Sequence, residues 1–86
     1  MKLESFYFLN LDNLGITSIE GLEYFTKLET LYVNNNELSE LHGLPESLKH
    51  LRCRNNNLSD LHHFTSNMTY LDARGNNISA VIGIPN

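Results

Sequence analysis

The 86-residue chain has one cysteine, no tryptophan, two prolines and only six basic residues. A lone cysteine, Cys53, excludes an internal disulfide, has no companion at metal-ligand spacing, and makes a reducing compartment the simpler setting. No apolar run approaches the roughly 20 residues of a transmembrane helix. The opening "MKLESFYFLNLD" lacks a small-residue cleavage site, so it does not read as a signal peptide. Without that signal, the Asn-x-Ser/Thr triplets at Asn57, Asn67 and Asn77 read as chance matches in an Asn-rich chain. No glycine-rich phosphate loop and no Ser/His/Asp constellation is present, so no enzyme and no cofactor are expected. A formal charge of −4 disfavours nucleic acid, whose binding rewards many phosphate contacts.

What is present is a repeat. Leu28-x-x-Leu31-x-Val33-x-x-Asn36-x-Leu38-x-x-Leu41 returns as Leu48-x-x-Leu51-x-Cys53-x-x-Asn56-x-Leu58-x-x-Leu61. It returns again as Met68-x-x-Leu71-x-Ala73-x-x-Asn76-x-Ile78-x-x-Val81, and Phe6-x-x-Leu9-x-Leu11-x-x-Leu14-x-Ile16-x-x-Ile19 precedes all three. The units span 6–27, 28–47, 48–67 and 68–86, and the matching leucines Leu9, Leu31, Leu51 and Leu71 are 22, 20 and 20 apart. Leu-x-Leu is the period of a strand with alternate residues facing one side. A unit of this size cannot bury its apolar residues alone, so the units stack into one core.

Asn36, Asn56 and Asn76 fall where the chain turns away from each strand. An amide pointing inward there can donate to and accept from the bent backbone. The neighbouring Asn34, Asn35, Asn55, Asn57 and Asn77 are expected at solvated turns. Cys53 shares its strand position with Leu11, Val33 and Ala73, so it reads as a small core residue rather than a nucleophile.

The pattern L-x-x-L-x-L-x-x-N-x-L resembles the leucine-rich repeat family over residues 6 to 85. The stretch "LDNLGITSIEGLEYFTKLETLYVNNNELSEL" is similar to the 22-residue repeats of bacterial internalins. "GLPESLKHLRCRNNNLSDL" is similar to the 20-residue repeats of secreted bacterial effectors, with Leu44-Pro45 opening the return path. The resemblance implies an α/β, β-rich solenoid: four parallel strands on a concave face, with irregular or 3-10 return segments. It also implies a non-enzymatic interaction module, cytoplasmic by default or exported without a signal. Leu14 departs from the pattern, so its turn must be satisfied by other groups. No helical N-terminal cap of the internalin kind is expected from this sequence.

The register sets three outward columns: Phe8, Thr30, His50 and Tyr70; Asn10, Tyr32, Arg52 and Asp72; and Asp12, Asn34, Arg54 and Arg74. Tyrosine and arginine are the types enriched at binding hot spots. Phe8, Asn10, Tyr32, His50, Arg52, Arg54, Tyr70, Asp72 and Arg74 are therefore the expected contacts for a protein or peptide. An Arg52–Asp72 cross-strand pair is the expected resting arrangement. His42, His62 and His63 match no standard metal site, and no metal is expected. Charge is uneven: residues 1–46 hold eight acids and two lysines, residues 47–86 two acids and four basic residues.

The last unit closes on "VIGIPN", where Ile84-Pro85 repeats Leu44-Pro45. The apolar residues Ile78, Val81, Ile82 and Ile84 are therefore expected to lie open. Either the chain is a piece of a longer array or a second subunit covers this coil as a homodimer. That prospect gives the alternative reading, a self-assembling structural protein whose main partner is itself.

Overall fold

The computed structural model describes residues 5–61, 67–78 and 80–81. Strands β1 (Phe8–Asn10), β2 (Thr30–Tyr32), β3 (His50–Arg52), β4 (Asp60–Leu61), β5 (Tyr70–Asp72) and β6 (Ala80–Val81) form two sheets. β1, β2, β3 and β5 make a four-stranded sheet in that order. All its pairings are parallel. A parallel pair needs a crossover of a dozen or more residues, and a repeat of about twenty supplies one at every step. Leu9, Leu31, Leu51 and Leu71 stand opposite one another in the register. The return path carries a 3-10 turn, Leu22–Tyr24. It adds an element that the sequence pattern does not announce, the parallel pair β4–β6, with Asp60 opposite Ala80 and Leu61 opposite Val81.

The core lies between the sheet and the return path. Leu28, Leu31, Val33, Leu38, Leu48, Leu51, Cys53 and Leu58 are completely inaccessible, all from the second and third coils. Leu9, Leu11, Ile16 and Ile19 pack on one end of this cluster and Leu71, Ala73 and Ile78 on the other, each only partly covered. Full burial of one such leucine is worth roughly 1.5–3 kcal/mol, so the central coils hold the sheet in shape. Ile82, Ile84 and Pro85, on which the expectation of an open C-terminal coil rests, lie outside the described residues.

The turns after the strands are held by asparagine side chains. Asn56 Nδ2 donates to the carbonyls of Cys53 (3.2 Å) and Arg54 (3.1 Å) in its own coil and Val33 (2.9 Å) in the preceding one. Its Oδ1 accepts from the backbone N–H of Leu38 at 3.0 Å. Asn76 repeats this geometry with Cys53, Ala73 and the N–H of Leu58. Asn36 Nδ2 donates to Leu11, Val33 and Asn34. Its Oδ1 accepts from both Leu14 N–H and Ile16 N–H at 3.0 Å. The first turn is thus served by the second coil, which leaves Leu14 free to point outward, 61% exposed.

Of the other asparagines, Asn35, Asn55, Asn57 and Asn77 are exposed as expected, and Asn34 corrects the expectation of a solvated turn residue. Asn34 is half-buried, and its Oδ1 accepts from the backbone N–H of Arg54 at 2.8 Å. One coil earlier, Asp12 Oδ1 accepts from Asn34 N–H at 2.7 Å, so this column carries a side-chain-to-backbone ladder. Asn13, Asn35 and Asn55 share the next position, with φ of 58°, 57° and 56°, and Gly75 takes it in the fourth coil at φ 78°. Asparagine and glycine are the residues that enter this left-handed region at least cost. Asn55 and Asn35 also stack, Nδ2 donating to Oδ1 at 2.8 Å.

Candidate binding face

The concave face is built by the strand residues that alternate with the buried leucines. Phe8, Thr30, His50 and Tyr70 form one row across the sheet, and Asn10, Tyr32, Arg52 and Asp72 the next. Directly opposite and diagonal neighbours on adjacent strands lie within reach of aromatic side chains, and the rings use both. Phe8 meets Tyr32 edge-on, centroids 5.0 Å apart. Tyr32 lies 6.2 Å from His50, and His50 stacks on Tyr70 at 4.2 Å with an interplanar angle of 15°. An aromatic strip therefore crosses all four strands of the sheet. Phe8 and Tyr70 are both exposed.

Arg52 is set into this strip. Its guanidinium carbon lies 5.0 Å from the Tyr32 ring centroid and 5.6 Å from that of Tyr70. The negative faces of the two rings hold the cation, a contact worth about 0.5–2 kcal/mol according to its exposure. Arg52 has no acidic partner among the described residues. Its Nε is buried without an acceptor, and His50 Nε2 beside it is likewise unpartnered.

The expected Arg52–Asp72 pair is absent. Asp72 does lie opposite Arg52 in the register, yet its carboxylate is buried and turned to the third column. Arg54 Nε donates to Asp72 Oδ2 at 2.5 Å. Arg74 donates from Nε to Oδ1 and from Nη2 to Oδ2, both at 3.0 Å. Two guanidiniums covering one carboxylate satisfy it better than one could, which explains both its burial and the release of Arg52. Asp72 is thus a support beneath the face rather than an exposed contact. Asn10 also turns to a local task, its Oδ1 accepting from Asp12 N–H at 2.9 Å.

The Cys53 thiol is pushed up to about 12 by burial and then by the nearby Asp72 carboxylate, so it is neither exposed nor ionised at neutral pH. His42 is exposed, 3.7 Å from Glu40, and His62 and His63 lie outside the described residues. No cluster of His, Cys, Asp or Glu suited to a metal occurs among the described residues.

Sequence reasoning placed the rows of this face but missed the structural hydrogen bond of Asn34 and the left-handed backbone of Asn35 and Asn55. The available signal was the position shared by Asn13, Asn35, Asn55 and Gly75, filled in every coil by a residue that tolerates positive φ.

Among known families, the model of "Leucine Rich repeats (2 copies)" matches residues 8–46. No curated protein and no solved structure matches the chain significantly. Among the described residues no helix is long and apolar enough to cross a membrane. Leucine-rich repeats generally mediate protein–protein interaction and are typically non-enzymatic. The family match over residues 8–46, the asparagine-capped turns and the four parallel strands together fit a β-rich solenoid of the leucine-rich repeat kind.

Proposed function

We propose that the chain is a non-enzymatic interaction module that binds a protein or peptide across its concave sheet. The observation that carries this reading is Arg52 held between Tyr32 and Tyr70 in the middle of the sheet. Aromatic residues and arginine supply most hot-spot energy in interfaces, because rigid rings and a planar guanidinium give large contacts at small entropic cost. Four strands offer a small footprint, roughly 800 Å² at most on this partner. A net charge of −4 supports protein over nucleic acid.

The bacterial setting, with internalin- and effector-type repeats, belongs to the same reading. It is supported by the 22- and 20-residue repeat lengths and by Leu44-Pro45, whose side chains are buried at the start of the return path.

The test is affinity capture with the wild-type chain against a Tyr32→Ala/Arg52→Ala control, followed by calorimetry on what is recovered. Alanine at Tyr32, Arg52, Tyr70 and Arg74 together should abolish the affinity. A partner that binds the quadruple variant as tightly as the wild type would place the site off this face.

A further inference from the structure

We propose that the concave face recognises a carboxylate, an Asp or Glu side chain of an extended protein segment that docks on Arg52. This rests on the concave-face reading above and specifies the partner's chemistry. Three guanidiniums, from Arg52, Arg54 and Arg74, gather on the third and fourth strands of the sheet and the turns that follow them. The one buried carboxylate among them, Asp72, is fully engaged by Arg54 and Arg74. Lys49 lies 4.0 Å from Glu29. Of Lys49, Arg52, Arg54 and Arg74, the basic residues of the third and fourth coils, Arg52 alone has no acidic partner among the described residues, and it lies at the centre of the face.

Its surroundings prepare it for an anion. The Tyr32 and Tyr70 rings fix the side chain, so little rotamer freedom remains to be lost on binding. The rings accept none of its hydrogen bonds, and its Nε has no acceptor. A carboxylate matches the planar fork of a guanidinium and supplies two oxygens to it. A single unpaired cation suits one carboxylate rather than a run of phosphates, whose recognition draws on many basic groups. The aromatic strip on either side, from Phe8 to Tyr70, spans three strand spacings, about 14 Å. An extended segment of roughly four or five residues covers that distance, placing apolar side chains on the rings and its acid at Arg52.

Random linear peptides displayed on phage and panned against the full chain give the probe. The enriched peptides should share one Asp or Glu. Its replacement by Asn or Gln, and Arg52→Gln in the protein, should each weaken binding about 10- to 100-fold, and the two losses should overlap rather than add. Arg52→Lys keeps the charge without the fork and should fall between. It serves as the second variant if thermal melts show Arg52→Gln to be misfolded. Peptides that lose affinity on Tyr32→Ala and Tyr70→Ala but need no acid, or ignore Arg52→Gln, would overturn the carboxylate proposal and leave the concave face standing. A requirement for phosphoserine in place of the acid would overturn it in favour of phosphate. Binding indifferent to all these substitutions, or no enrichment at all, would overturn both readings.

Discussion

Replacing Asn56 by alanine tests the turn architecture at a buried point between the two central coils. Asn56 makes four hydrogen bonds through its side chain, but they are not equally exclusive. The carbonyl of Val33 also accepts from Asn36, that of Cys53 from Asn76, and that of Arg54 from Asn35 N–H. Those three acceptors stay paired after truncation. The N–H of Leu38 has only Asn56 Oδ1 among its described partners, and Leu38 is inaccessible to water. The substitution therefore strands one buried donor, at a cost of about 1–3 kcal/mol. Against a total stability of roughly 5–15 kcal/mol this is a large fraction. Asn56→Asp keeps the acceptor but points a charge at three carbonyl oxygens, and it should cost more than alanine. Asn57, next in sequence and exposed, should cost less than about 0.5 kcal/mol as alanine. Urea denaturation with an unchanged slope reads the difference directly. Equal losses for Asn56→Ala and Asn57→Ala would refute the reasoning.

Three further outcomes follow from the same geometry. The Cys53 thiol ionises near 9 in the unfolded chain but near 12 when folded, so its contribution is full below pH 9 and is lost as the pH rises towards 12. Alkaline denaturation should therefore be steeper in the wild type than in Cys53→Ala, by up to about 1.4 kcal/mol per pH unit, and parallel curves would contradict this. Gly75→Ala places a Cβ at φ 78° against Asn55 and should cost at least about 1–2 kcal/mol in thermal melts, whereas Asn35→Gly, at the same position one coil pair earlier, should stay below about 1 kcal/mol. Asp72→Asn removes the shared acceptor of Arg54 and Arg74 and should destabilise by about 1–3 kcal/mol, less so in high salt; a neutral effect would mean that both arginines are held by other groups.

The fold was legible because its cause is a period. Leucines at a fixed spacing can share one core only by stacking, and stacking dictates which residues stand side by side on the sheet. Hence the rows Phe8–Thr30–His50–Tyr70 and Asn10–Tyr32–Arg52–Asp72 follow from counting alone. What counting cannot give is where a long side chain goes from its place in the row. Arg52 could reach Asp72 across the strand gap or lie on the tyrosines. The choice depends on Arg54 and Arg74, which sit in a different row and take the carboxylate first. The strand pair β4–β6 escaped for a related reason: its residues belong to the return path, where the repeat fixes spacing but leaves the backbone conformation open.

The asparagine runs show how a segment that resembles filler can be fully determined. In Asn34-Asn35-Asn36 the first side chain caps the N–H of Arg54 in the next coil, the second enters the left-handed region, and the third reaches back into the preceding turn. The three tasks need different properties of one residue: a short acceptor, tolerance of positive φ, and a donor and acceptor on the same group. Other residues meet the first two, as Asp12 and Gly75 do at the equivalent positions. Only an amide of this length meets the third, because it must give to carbonyls and take from an N–H at once. That is why the third position is asparagine in every coil that caps a described turn before it, while the first two vary. It is also why Leu14 is tolerated: its own turn is closed by Asn36, from one coil further on.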